Sequence, residues 1–464
     1  MRCYRLYLAA IIMGIGVAAT GCSPISTPTP PTPPTPIVVP VTVEVTRVVT
    51  EVAAAPTSIP ASCRPADLSS ASEIVVGALL PLSSSTGMVH AFSMQAALNI
   101  AVEQINADPS VVGKPLRVIT YDTAGRPEQA ALFAQRLITQ DCAVLLIGGY
   151  HDAVALALRE VAAQARVPLI VPHATADQIT AEFPAETFRV APAASQVGRA
   201  PARWLAEVGD YNSDGNRYAV LIVEDSAAGE MEIERLSPWF AAYAIQLEAL
   251  RVALPVADFS STVARIVALD LLPDAIFIRL AGKPGLDLQR QLADAGVGPA
   301  NGTLIVATRA ALDDTLFWQT VPGGVGTVVF MPGPWVSTVT PMGTQFAEQF
   351  RMYFNRWPDS TAFEANDALW LAAYAMHSAN SLATEDLIAA LEQADVELAS
   401  GHYTFPYNAQ SPPDGQQAPA YLWHQWPEFP LLFLQYTEPS QRSAGMPVVW
   451  PPTYQTAPGP IVQP

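Results

Sequence analysis

Residues able to bind or react gather in short polar loops behind apolar runs of this chain. The run at 74–80 is stopped by Pro81 and followed by Ser83, Ser84, Ser85 and Thr86. A second loop, Gly149-Tyr150-His151-Asp152, follows the run at 144–147, and a third, Pro172-His173-Ala174-Thr175, follows 168–171. Later runs lead into Glu224-Asp225-Ser226-Ala227-Ala228-Gly229 and into Arg279-Leu280-Ala281-Gly282-Lys283-Pro284. Trp335 stands just after Pro332-Gly333-Pro334. Hydroxyls, imidazoles and aromatic rings on such loops suit reversible binding of a small polar molecule. Catalytic signatures are missing: there is no GxxxxGK[ST], HExxH or GxSxG and no CxxC pair, and the six histidines never fall at zinc-like spacing. Asp313-Asp314 reads as a solvated turn or helix cap. The expected activity is binding, without catalysis, metal or cofactor.

Plainer readings stand beside each of these residues. Asp152 can simply cap a helix that starts at Ala153. His173 can be a satisfied loop histidine, Tyr150 can pack beside the loop, and Ser84 and Ser85 can bond their own backbone. Arg279 and Lys283 can be solvated cations.

The elements that must position these loops follow from apolar patterning. Residues 74–80 are rich enough in Val, Ile and Leu for a strand buried on both faces. Met94, Leu98, Ala101 and Ile105 then recur at helical spacing, and 116–121 supplies a second strand. Strand, helix and strand with short connections make a parallel βαβ unit with a right-handed crossover. In open parallel sheets, ligands collect outside the carboxyl ends of the strands, where the Ser/Thr loop sits. The rhythm repeats, with strands expected at 144–147, 168–171, 188–191, 218–223, 250–254, 275–278 and 303–306. Helices are expected at 153–164, 229–243, 260–269, 286–295, 344–357, 363–382 and 385–393. Alternation of this kind predicts an α/β protein of parallel layers.

At 464 residues the chain exceeds one usual core, so two lobes plus tails are expected. Half the residues are hydrophobic and 14% are charged, which suits large buried sheets. A formal charge of −18 repels phosphate backbones, which argues against nucleic acid as a partner. Arg2 and Arg5 precede an apolar run that ends at Ala19-Thr20-Gly21-Cys22. That pattern resembles a bacterial lipoprotein signal, cleaved before Cys22, whose thiol takes the lipid; an ordinary signal peptide is the plainer alternative. The apolar run is short for a bilayer core of about 30 Å. Residues 23–36 are almost entirely Pro and Thr and read as an extended spacer. Residues 37–55 alternate β-branched and polar side chains without an obvious partner strand and are read as part of the tether.

The stretches ALLPLS, VEQINAD and GKPLRVITYD, in this order and spacing, resemble the opening of the type I periplasmic binding proteins. The similarity is greatest to the leucine/isoleucine/valine-binding branch of ABC-transporter substrate-binding proteins. It continues through LFAQRLITQDCAVLLIGG, VPLIVPHATA and TFRVAPAASQVGRAPARWLAE, and covers about 73–437. The resemblance implies two parallel-sheet α/β lobes joined by a three-segment hinge. On that expectation residues 1–21 are the signal peptide and 22–62 the lipidated tether. Lobe one comprises 63–192 and 326–400, lobe two 193–325 and 401–437, and 438–464 is a Pro-rich tail. Crossings fall near Pro192, at 326–331, and at 402–405 leading to a closing hairpin at 421–436.

The resemblance also implies an extracytoplasmic lipoprotein, lipid-anchored to the membrane, that closes on an amino-acid-like or amide solute and delivers it to an ABC permease. A sensory receptor subunit and a surface scaffold that has lost its ligand are the alternatives. With Cys3 lost on processing and Cys22 lipidated, Cys63 and Cys142 remain as a disulfide beside neighbouring strands; two separate buried thiols are the other possibility. The family holds a ligand carboxylate on hydroxyls and N–H groups of the loops at 149–152 and 172–175. Thr175 matches that pattern. Asp152 stands where a serine is usual, and its charge would repel a carboxylate and compete for the same donors. Asp225 and Ser226 fall in a loop like the family's, but Ala228 replaces the aromatic lid, a role Trp335 can take. Lys283 stands near the place of an acidic partner for a ligand ammonium.

Overall fold

The computed structural model describes Cys63 and residues 68–460, apart from 416 and 417. The expected signal and the whole of the expected tether, Cys22 included, lie outside the described residues. Apolar runs become strands, and Ile74–Leu80 (β1) is buried along its whole length. Gly77 is required there, because an added Cβ would come 2.7 Å from Leu137 and 2.8 Å from Leu146. The first lobe continues with α1 (Met88–Ala107), β2 (Leu116–Asp122), α2 (Pro127–Thr139), β3 (Leu145–Gly148) and α3 (Asp152–Ala165). It ends in β4 (Leu169–Val171), the short α4 (Gln178–Ala181) and β5 (Thr187–Arg189). These strands form one parallel sheet in the order β2-β1-β3-β4-β5.

The chain then crosses through residues 190–193, as expected near Pro192. The second lobe runs α5 (Ala194–Val208), β6 (Tyr218–Glu224), α6 (Ala227–Ala242), β7 (Gln246–Val252), α7 (Ser260–Val267), β8 (Ala275–Ile278) and α8 (Lys283–Asp294). It goes on through β9 (Leu304–Ala307), α9 (Asp314–Thr320) and β10 (Val328–Pro332). Here one expectation is corrected. Residues 326–331 do not return to the first lobe, because β10 lies parallel to β9 in the second sheet. The return comes after Gly333 and leads to α10 (Pro341–Phe354), α11 (Ser360–Ala379) and α12 (Thr384–Glu392). The small hairpin of β11 (Asp395–Glu397) and β12 (His402–Thr404) precedes the third crossing, which reaches β13 (Leu431–Gln435).

The tail is the second correction. Val448–Trp450 forms β14, which pairs antiparallel with β13 and extends the second sheet to β14-β13-β10-β9-β8-β6-β7. Trp450 is buried, its indole donates to Glu207 Oε2 at 2.6 Å, and the Arg203 guanidinium lies over its ring. Three residues between prolines are too few to show an alternation, so this strand leaves no periodic trace in the sequence.

Cys63 and Cys142 are joined by a disulfide. The bridge ties the segment before β1 to the turn before β3, across a sequence separation of 79. Loop-closure models give such a bridge about 2–4 kcal/mol. Reduction, or a Cys63→Ser/Cys142→Ser double change, is expected to lower stability by that amount in urea unfolding. An unchanged midpoint would show that the bridge does not constrain the unfolded chain.

Candidate functional site

The first crossing leaves the carboxyl end of β5 and the second leaves the carboxyl end of β10. The carboxyl edges of both sheets therefore flank the hinge, and the loops behind their strands form the two walls of the candidate site. Gly333 makes the junction tight: at its φ of +114 an added Cβ would lie 2.8 Å from Ser360 Cβ. That contact sets the start of α11, with Asp359 and Glu364, beside the second crossing.

In the first wall the loops after β1, β3 and β4 form one hydrogen-bonded cluster. Ser84 Oγ lies 3.2 Å from Thr86 Oγ1, and Thr86 Oγ1 lies 3.0 Å from His151 Nε2. Ser85 beside them is exposed. Gly149, at φ +97 and pressed against Ala155, turns the chain so that Tyr150 enters the cluster. The Tyr150 ring stacks on His173 with centroids 4.6 Å apart, meets His151 edge-on at 4.9 Å and faces His90 at 6.0 Å. Burial, then the charges of Glu364 and Asp359, push the Tyr150 hydroxyl above its ordinary range.

His173 is partnered from far along the chain. Its Nδ1 lies 2.7 Å from Oε2 of Glu364, a buried carboxylate on α11. Burial alone would lower the imidazole, but the Glu364 charge and hydrogen bond outweigh it and hold the pKa above the ordinary histidine value. Burial and the His173 charge push His151 the other way. A raised histidine contributes stability fully below its unfolded pKa, about 6.5, and loses it as pH rises through the folded value. An NMR titration of the native protein is expected to place the His173 midpoint above 6.5, and Glu364→Gln should bring it down. An unmoved midpoint in the variant would mean that Glu364 does not set it.

Asp152 does not cap its own helix. It is the first residue of α3, and its Oδ1 accepts the backbone N–H groups of Thr175 at 2.8 Å and Ala176 at 2.9 Å. The opposite side of the same loop rests on Arg189, fully buried, whose Nη1 donates to the Ala176 carbonyl at 2.7 Å and the Thr175 carbonyl at 3.2 Å. The loop after β4 is thus clamped between a buried cation and an exposed carboxylate. Burial brings the Arg189 guanidinium down to about 10, still far above neutral pH.

In the second wall Ser226 caps α6 by accepting the Gly229 N–H at 3.3 Å, and Asp225 is exposed beside it. Lys283 is exposed and bonded to Asp287 at 2.5 and 2.7 Å, one turn further along α8. Its charge is matched within the helix. The cations of this wall are Arg279 after β8 and Arg309 after β9. Arg279 is largely buried over the Phe330 ring and lies 3.3 Å from Glu232, which it shares with Arg235. Burial and the Arg235 charge lower the Arg279 pKa against the pull of Glu232. Arg309 Nη2 approaches Met331 Sδ at 3.5 Å. Trp335 is half-buried in the second crossing, and its backbone N–H donates to Thr338 Oγ1.

The loops singled out in the sequence therefore do assemble, but their partners do not lie in those loops. His90, Asp359, Arg189, Glu232 and Arg309 give the sequence no spacing signal. Glu364 and Asp367 leave a faint one, as carboxylates inside an apolar helix that must be buried. Among the described residues no cluster of His, Cys, Asp and Glu could hold a metal ion, and no helix is long and apolar enough to cross a membrane.

Comparison with known proteins accords with this architecture. Residues 73–421 match the family model described as periplasmic binding protein. An amino acid binding protein of Pseudomonas aeruginosa is 28% identical over 138 residues, 29% of this chain and 36% of that protein. The chain thus spans about a third of the length of that curated relative. Among solved structures, an ABC transporter substrate-binding protein from Sphaerobacter thermophilus superposes with a TM-score of 0.59 at 22% identity, covering 79% of this chain and 94% of that one. A solute-binding protein of an ABC transporter from R. palustris, solved with benzoate, gives 0.54 at 22% identity over the same shares. With three quarters of its length under the family model and two parallel-sheet lobes on a three-segment hinge, the chain belongs to the periplasmic binding proteins, in their type I form.

Proposed function

We propose that this protein is an extracytoplasmic solute-binding lipoprotein, anchored through Cys22, that closes on a small polar solute and delivers it to an ABC permease. The observation that carries the reading is the placement of two polar, aromatic-bearing walls at facing sheet edges on either side of a hinge. Such a site does not need to make or break a bond. Ligand contacts to both walls exist together only when the lobes close, so binding shifts the population towards the closed form. Micromolar affinity, about −8 kcal/mol, needs only a few well-paired polar groups and an aromatic contact. The solute is the size of an amino acid or a small amide.

Native mass spectrometry after mild purification tests this directly, with small-angle scattering on the same sample. A stoichiometric small solute whose removal expands the particle is the expected result. Neither a solute nor a ligand-dependent change in shape would remove the reading. Cys22→Ala should release the protein from membranes or leave it unprocessed, and mature mutant still partitioning with membranes would exclude the lipid anchor.

A further inference from the structure

The charges of the two walls are unlike, and the difference bears on the chemistry of the solute. In the first wall two backbone donors that could receive an anion are taken. The N–H groups of Thr175 and Ala176 both point at Asp152, which makes no direct ion pair among the described residues, although the charges of Arg189 and His173 act on it from behind the loop. The carboxylates beside it are already matched: Glu364 is held by His173, and Asp359 by Ser93, Thr361, Arg356 and His90. A solute carboxylate arriving here would meet a carboxylate at contact distance. At about 4 Å and an effective dielectric of 20 that repulsion is on the order of 4 kcal/mol, roughly a thousandfold in affinity.

The second wall offers the opposite. Arg279 and Arg309 stand one register step apart at the carboxyl ends of the neighbouring strands β8 and β9. Arg235 and Arg279 share the carboxylate of Glu232 through its two oxygens, so one negative charge faces two guanidinium groups. Arg309 has no carboxylate partner among the described residues, and only burial acts on its pKa. Glu224 and Asp225 lie behind β6, on the far side of β8 from Arg309, with Arg251 close to Asp225. Two buried donors of this wall, Arg279 Nε and the Trp335 indole Nε1, make no hydrogen bond. Both groups can only donate: the indole lacks an acceptor, and Arg279 Nε has only the Glu232 oxygen, 3.3 Å away without hydrogen-bond geometry.

We infer that the solute is a small organic acid without an amine, bound with its carboxylate on Arg279 and Arg309 of the second lobe and its body against Tyr150 and His173 of the first. The inference rests on the solute-binding reading above. A carboxylate placed this way avoids Asp152, supplies the acceptors that the second wall lacks and explains why Lys283 can be committed to Asp287. An α-amino acid fits poorly in either orientation: one sets carboxylate against Asp152, the other sets ammonium among arginines.

Matched probes separate the possibilities by calorimetry on the mature protein stripped of copurified solute. The pairs are leucine with 4-methylpentanoate and phenylalanine with 3-phenylpropanoate, with 4-methylpentanamide as the neutral control. The acids are expected to bind at least about 100-fold more tightly than their amino acid and amide counterparts. Arg309→Gln should weaken the acids about 10–100-fold, the range for losing a charge-assisted hydrogen bond. Arg279→Gln should do the same, with folding checked by circular dichroism. Asp152→Ser should narrow the gap by admitting the amino acids. Equal or tighter binding of leucine or phenylalanine to the native protein would overturn the inference and leave solute binding standing. Equal binding of the amide, failure of both acids to bind, or indifference to Arg309→Gln would likewise overturn it. A copurified solute bearing an ammonium group would do so without any titration. Only the absence of any solute and of any closure would sink the inference and the solute-binding reading together.

Discussion

Arg189→Met is expected to destabilise the protein by about 3–5 kcal/mol, although methionine fills much of the same volume. The guanidinium is fully buried and spans two parts of the hinge. Its Nε donates to Gln425, one terminal nitrogen serves the Thr175 and Ala176 carbonyls, and the other serves Thr180 Oγ1 at 2.9 Å. The backbone of Arg189 joins the same region, donating to the His424 carbonyl at 3.0 Å and accepting from the Trp426 N–H at 3.3 Å. Methionine keeps these main-chain bonds and removes the side-chain ones. Each acceptor left buried without a donor costs about 1–3 kcal/mol, and loss of a buried charge from its network falls in the same range as the total. Urea unfolding with an unchanged slope and a lower midpoint is the expected record. A loss below about 1 kcal/mol would show that water replaces the guanidinium. Because the clamp on the Thr175–Ala176 loop opens on one side, the variant should also bind its solute more weakly.

The second large effect is expected at Asp367, a carboxylate inside α11 with no exposed surface. It accepts the N–H groups of Ala399 at 2.9 Å and Ser400 at 2.8 Å and the Tyr403 hydroxyl at 3.0 Å. These bonds fix the turn between β11 and β12, just before the third crossing. Burial raises the Asp367 pKa, and the bonds from Ser400, Asn366 and Tyr403 pull it back. Asp367→Ala leaves these three donors and the Asn366 amide without an acceptor, so a loss of at least about 4 kcal/mol follows from the cost of each. Asp367→Asn, which keeps one acceptor oxygen, should cost clearly less. Equal losses for the two variants would mean that the negative charge and the second acceptor oxygen, which both variants remove, govern the site, and that the single oxygen kept by asparagine contributes nothing.

These two residues mark the limit of what can be read along the chain. The βα rhythm is legible because burial on both faces demands continuous apolar runs, and Ile74–Leu80 or Ala275–Ile278 are such runs. The loops that hold the first wall are legible too, since Tyr150, His151, His173 and Thr175 directly follow strand ends. Sequence periodicity reports whether a residue is buried, but not what it is buried against. Residues 326–331 therefore read as a crossing between lobes, and only the pairing with β9 and β13 makes Val328–Pro332 a strand of the second sheet. The three-residue β14 is below the length at which any period exists.

Asp152 shows the same division within the site. Its helix-initial position and its negative charge are local facts that the sequence by itself determined. Its engagement with two N–H groups 23 and 24 residues away was decided only when β4 was laid beside β3 and Arg189 was buried behind the loop. His173 is a loop histidine in the sequence, and becomes the partner of a buried carboxylate because α11 brings Glu364 across 191 residues. Lys283 goes the other way, from candidate ligand contact to partner of Asp287, because a helix starting at that lysine sets the two side chains one turn apart. Residue type and local spacing set what each group can do; the partner that holds its charge depends on chain segments brought together by packing, and local patterning carries no record of them.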